Sequence, residues 1–231
     1  MVGGSNPSPA TNFLTGGFLT SGIAMLLRYA ALAALALALA GCAGAEPGPD
    51  TYLYAYGRTT SPKPDGFVHC YDFTCRTTVQ TSITPAELQR IGTLFATPSR
   101  SAREERQRLA QAVALWEQII GARTGTAADV GSETGDRMWN DRFQQDCMDE
   151  TFNTTSYLMM MNAAGWIRFH MIVYPSSRGF QNGFVGPHHA ATVRENGSRR
   201  RFVVDSWFHD NGRPPVVMPV EIWEKGWFPS T

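Results

Sequence analysis

A cysteine, two adjacent histidines and an aspartate follow one another in the C-terminal part of the chain, each in a context suited to acyl-transfer chemistry. Cys147 lies in Asp146-Cys147-Met148-Asp149, which reads as a helix start. Asp146 takes the cap and Asp149 the reciprocal position three residues on, so Cys147 falls at the first helical position. Free backbone N–H groups and the positive end of the helix dipole favour a thiolate there. His188 and His189 open the strand-like run to Glu195, Asn196-Gly197 is a hairpin turn, and Arg201 to Asp205 is the returning strand. A thiol nucleophile needs a neighbouring base, and the base needs an acceptor on its other nitrogen. A two-residue loop would set His188 opposite Asp205, and a three-residue loop would set His189 there. His189 is the expected base, because Ala191 and Val193, which alternate with it, form the more apolar face. Cys147, His189 and Asp205 are therefore the expected catalytic residues. The Cys147 N–H, with Gln144 or Gln145, is the expected oxyanion hole.

Other elements must carry this trio. Thr84-Pro85-Ala86-Glu87 is a helix start with its capping box. A second helix spans about Ser101 to Ile120, with Leu109, Val113, Trp116 and Ile120 on one apolar stripe and a charged first turn expected to face solvent. The cysteine helix should run to Ala164 and stop at Gly165, and Trp166 to Tyr174 should form a strand. Cys70 and Cys75 are expected as a structural disulfide. His69 beside them adds only a third soft ligand where a structural zinc site wants four, so no metal is expected. Asp146, Asp149 and Glu150 offer hard oxygens but lack EF-hand spacing, and no cofactor is expected.

Before the domain, Met25-Leu-Leu-Arg28 and an unbroken Ala/Leu run end in Leu39-Ala40-Gly41-Cys42. One positive charge, a short apolar stretch and a small-residue exit make a secretory leader. It is too short for a membrane span, which needs roughly 20 apolar residues. The ending resembles the lipobox of bacterial lipoproteins, which implies lipidation of Cys42 and Met25 as the true start. The expected organisation is a leader over 1–41, a tether over 42–65 and one domain over 66–231. The expected location is the cell envelope, lipid-anchored and facing the periplasm. Ala43 in place of Asp after the cysteine favours the outer membrane.

Taken together, the Asp-Cys-x-Asp helix start, Ala164-Gly165, His189-Ala190-Ala191 and Phe202-Val203-Val204-Asp205 resemble the transglutaminase-like superfamily, and within it the bacterial transglutaminase-like cysteine proteinases of papain-like fold. The likeness covers about Trp139 to Trp207. It implies an α+β fold in which a catalytic helix packs on an antiparallel sheet behind N-terminal helices. It also implies Cys147 as nucleophile, His189 as base and Asp205 as orienting acid. The activity implied is that of a cysteine peptidase, amidase or acyltransferase working through a thioester on protein or peptidoglycan-peptide amide bonds.

Composition narrows the alternatives. Lys+Arg and Asp+Glu both number 20, and the only basic run is Arg199-Arg200-Arg201, which excludes an electrostatic nucleic-acid binder. Apolar residues at 43% exclude global disorder. The rival reading is a non-catalytic lipoprotein that kept the fold as a binding or scaffolding module.

Overall fold

The structure is a computed structural model that describes residues 47–56, 61–179 and 187–229, besides Gly4. The leader over 1–41 and the lipidation site Cys42 lie outside the described residues. The chain from Glu46 onward forms one compact unit of mixed α+β architecture. Among the described residues no helix is long and apolar enough to cross a membrane.

Helix α1 (Pro49–Ala55) lies within the stretch expected as a tether. It is short but anchored: Tyr52 and Leu53 are buried, and Tyr52 meets Tyr174 edge-on at 5.7 Å. A two-stranded hairpin follows, β1 (Phe67–Tyr71) and β2 (Thr77–Thr81). Helix α2 (Pro85–Gly92) starts at the expected capping box, with Thr84 and Glu87 bonding reciprocally.

Helix α3 (Ala102–Thr124) begins at the Ser101 cap and passes through Gly121 to end at Gly125, whose φ of 93° only glycine adopts without strain. Gly121 is needed for close approach instead, since a Cβ there would lie 2.7 Å from the Asn211 side chain. The expected stripe of Leu109, Val113, Trp116 and Ile120 is fully buried. Its charged first turn is not all solvated. Glu105 is buried and accepts from the N–H groups of Arg168 and Phe169 and pairs with His170 at 2.8 Å.

After α4 (Asp136–Asn140) comes α5 (Cys147–Ala163), stopped at Gly165 (φ 75°). The main sheet is antiparallel with order β3 (His170–Arg178), β4 (His188–Glu195), β5 (Arg201–Asp205), β6 (Val216–Pro219), and α6 (Val220–Trp223) closes the described fold. β3 continues past Pro175 because the ladder slips between Val173 and Ser176, and an irregularity tolerates a residue that cannot donate.

Both faces of β4 are covered. Ala191 and Val193, with Phe202 and Val204 of β5, join Trp116, Ile120, Tyr157 and Leu158 in the main core. Ala190 and Val203 face the other way, into a second cluster with Trp207, Phe208, Val220 and Trp223.

Candidate active site

Cys147 is positioned by an unusually complete helix cap. Asp146 is extended (φ −89°, ψ 178°), and its Oδ1 accepts from the N–H groups of Met148 and Asp149, each at 2.9 Å. Asp149 Oδ2 accepts in return from the Asp146 N–H at 3.0 Å. Of the donors that a helix start leaves orphaned, the Cys147 N–H alone has no partner among the described residues.

The cap is in turn held from outside. Residues Asp72, Phe73, Thr74 and Cys75 all have left-handed φ, between 53° and 69°. Such backbone costs a non-glycine residue about 1–2 kcal/mol. It turns successive N–H groups to one side, an anion-binding concavity. The anions are the two cap carboxylates. Thr74 N–H and Oγ1 donate to Asp146 Oδ2 at 2.9 Å, Phe73 N–H to Asp149 Oδ2 at 3.1 Å, and Cys75 N–H to Asp149 Oδ1 at 2.5 Å. The Cys70–Cys75 disulfide closes this turn, as expected. The metal reading loses its ligands here: both sulfurs are bonded to each other. His69 is buried with its ring nitrogens on Thr126 and Tyr157, and burial lowers its pKa to about 3.

Asp205 pairs with His188, at 2.8 Å from Nε2 to Oδ2, and not with the expected His189. The hairpin loop explains the difference. Ala191 lies opposite Val204 and the Glu195 N–H bonds the Arg200 carbonyl, so the connection has four residues and Asp205 falls opposite Ala190. His188, two positions before Ala190, shares its face and reaches the carboxylate diagonally. His189 points to the opposite face, half-buried, with its pKa lowered by burial and then by the His188 charge.

His188 is walled by aromatic rings, with centroids of Trp207, Phe208 and Trp223 at 4.9, 5.3 and 5.4 Å. The Trp223 indole N–H donates to the same Asp205 Oδ2 at 2.8 Å. Trp207 and Trp223 belong to the second apolar cluster, and that cluster is the lining of the histidine. With Nε2–H donating to a carboxylate, Nδ1 is the ring's remaining nitrogen, buried with no hydrogen-bond partner among the described residues. Cys147 packs on this same aromatic cluster. Its Sγ–H donates to the Pro187 carbonyl at 3.8 Å, and the backbone N–H of His189 bonds back to the sulfur, so the thiol lies against the peptides on both sides of His188.

The thiol is not in the state expected from a helix start. Burial first, then the charges of Asp146, Asp205 and Asp149, push its pKa up to about 12, against the lowering supplied by the His189 N–H. Cys147 therefore rests as a neutral thiol.

Neither glutamine reaches the expected oxyanion role. Gln144 Oε1 accepts from the Val130 N–H, and its Nε2 donates to the Ala128 carbonyl and Asp141. Gln145 Nε2 is drawn to the Cys70 carbonyl at 3.4 Å. The Trp207 indole N–H, buried beside His188 with no acceptor among the described residues, is a donor that the sequence pattern did not single out.

Behind the site lies a set of buried acids that sequence reasoning passed over. The Ser206 hydroxyl donates to Glu150 Oε2 at 2.6 Å and bonds Glu117, while the Gln145 N–H donates to Asp129 at 2.7 Å. Burial and mutual repulsion raise Glu117 well above the usual range, Glu150 to about 7 and Asp129 to about 9. Compared with protein-family models, curated proteins and solved structures, the chain matches none.

Proposed function

We propose that this protein is a cysteine amidase or peptidase, or an acyltransferase of the same chemistry, with a papain-like, transglutaminase-like core. In it Cys147 is the nucleophile, His188 the base and Asp205 the orienting acid. The observation that carries the reading is the His188 ring: Nε2 fixed by Asp205, Nδ1 buried and unpartnered, and the only free thiol among the described residues packed against the same aromatic wall.

The chemistry follows from the resting thiol and the unpartnered imidazole nitrogen. As Sγ attacks an amide carbonyl, its proton passes to His188 Nδ1, and Asp205 stabilises the imidazolium that forms. The oxyanion takes the vacant Cys147 N–H and, as second donor, the Trp207 indole N–H. His188 returns the proton to the leaving amine and a thioester remains on Cys147. Water then hydrolyses it, or an amine accepts the acyl group. The lipobox-like leader supports an exported, membrane-tethered enzyme, whose natural substrates are peptide or isopeptide bonds of the cell envelope.

The elevated thiol pKa favours the second reading, a non-catalytic binding or scaffolding module. Incubation with a small activated acyl ester, followed by intact mass and peptide mapping, separates the two. The enzyme reading expects a transient acyl adduct on Cys147, slowed at least 100-fold by His188→Ala and less than tenfold by His189→Ala. No adduct, or one indifferent to His188, leaves the binding module.

A further inference from the structure

We propose that the Cys70–Cys75 disulfide is a redox control site for Cys147, opened by a dithiol reductant and closed again by a disulfide oxidant. Its control of catalysis rests on Cys147 being the nucleophile; its control of helix geometry does not.

The bond sits between two attachments to the catalytic helix that differ in kind. Cys70 is fully buried and fastened to the middle of α5 independently of its sulfur: its N–H donates to Asn153 Oδ1 at 2.9 Å and its carbonyl accepts from Asn153 Nδ2 at 2.8 Å. Cys75, at the far end, is half-buried, and its N–H is one of the donors on Asp149. Between them runs the left-handed turn, whose N–H groups grip both carboxylates of the helix cap. A turn of four consecutive non-glycine left-handed residues is disfavoured by its own backbone. Its outside supports are the cap carboxylates, which it serves, the Gln144 carbonyl on the Asp72 N–H, the Trp139 ring against Phe73, and the disulfide, the one covalent tie, which closes it.

Reduction begins on the accessible sulfur. A reductant thiolate bonds Cys75 Sγ, the S–S bond breaks, and Cys70 leaves as a thiolate that takes up a proton. The second reductant thiol then displaces Cys75, so two electrons and two protons enter the protein and the reductant departs as a disulfide. Cys70 stays pinned by Asn153, whereas Cys75 and the turn are released. Asp146 and Asp149 then lose their outer donors, and two adjacent buried carboxylates are left facing each other at the start of α5. The cap that positions the Cys147 N–H and Sγ loosens while the rest of the helix keeps its contacts.

The test uses the full chain in oxidised, reduced and reoxidised forms. Amide hydrogen exchange of Met148, Asp149 and Glu150 should rise at least tenfold on reduction, with exchange at Leu158 to Met161 unchanged. Acylation of Cys147 by the activated ester should fall at least tenfold and return on reoxidation. Phe73→Gly, which removes a left-handed penalty and keeps the donating N–H, should make both changes smaller. Unchanged exchange at 148–150 overturns the proposal, as does exchange rising together there and in β3–β5, which would make the bond a support of the whole fold. A change in exchange with undiminished acylation overturns the catalytic control. Absence of acylation in every form, with the exchange change present, refutes the enzyme reading and leaves the helix clamp standing.

Discussion

Raising the Cys147 pKa from 9.0 to about 12 has a kinetic consequence that can be worked through. At a pH well below both values the thiolate population falls about a thousandfold relative to an unperturbed cysteine. A more basic thiolate is a better nucleophile, with a Brønsted slope of about 0.4–0.5, which returns roughly 15- to 30-fold over three pH units. Exchange with an aromatic disulfide reagent at pH 8 should therefore be roughly 30- to 60-fold slower in the native protein than in the same chain unfolded in urea. The native rate should still climb about tenfold per pH unit beyond pH 10, where the unfolded rate has levelled off. Stopped-flow absorbance, with Cys147 labelling confirmed by peptide mapping, measures both. A native rate that equals the unfolded one at pH 6 to 7, or a plateau there, would refute the neutral-thiol argument. It would mean that a resting thiolate–imidazolium pair outweighs burial and three carboxylates.

Further outcomes concern the supports of the site. Trp223→Phe removes the second donor on Asp205 and should slow ester acylation of Cys147 by about tenfold, roughly the 1.4 kcal/mol of one net hydrogen bond. Trp207→Phe should cost a similar or larger factor if its indole N–H meets the oxyanion, with the melting temperature little changed. Glu105→Ala leaves the Arg168 and Phe169 N–H groups and His170 Nδ1 without their acceptor in the interior, so urea denaturation should show a loss of about 3–5 kcal/mol. Glu150 and Asp129 have folded pKa values above their unfolded ones, so their stabilisation is full below about pH 4 and is lost as pH rises through about 7 and then about 9. The Glu150 part alone is about 3 kcal/mol, so the urea midpoint should fall from pH 5 to pH 8 and Glu150→Gln should flatten that slope. A midpoint that rises with pH over that range contradicts the acid cluster.

Local signals were legible because local physics decides them. The Asp146 cap, the Thr84 capping box, the Gly165 stop and the α3 stripe each depend on residues within one or two helical turns, and each forms at its expected place. The identity of the histidine beside Asp205 was not legible, since it turns on the parity of a loop. Asn196-Gly197 suggests two residues, the hairpin uses four, and either even number puts His188 on the Asp205 face. The apolar argument for His189 assumed one buried face, whereas β4 is buried on both. The outer clamp on the cap was equally hidden. Nothing in Tyr71 to Cys75 advertises a left-handed turn, because its conformation is fixed by carboxylates more than seventy residues away.

The fastening of the Trp223–Trp227 segment bears on when the proposed site is assembled during synthesis. Arg178 Nη1 donates to the Trp223 carbonyl at 2.6 Å and the Trp227 carbonyl at 2.9 Å, and Trp223 completes the Asp205 hydrogen bonds. Those partners leave a ribosome or a translocation pore after Cys147, His188 and Asp205 have emerged. A nascent chain thus carries every reactive side chain without the assembled site. The order of emergence ties assembly of the proposed site to the arrival of the Trp223–Trp227 segment.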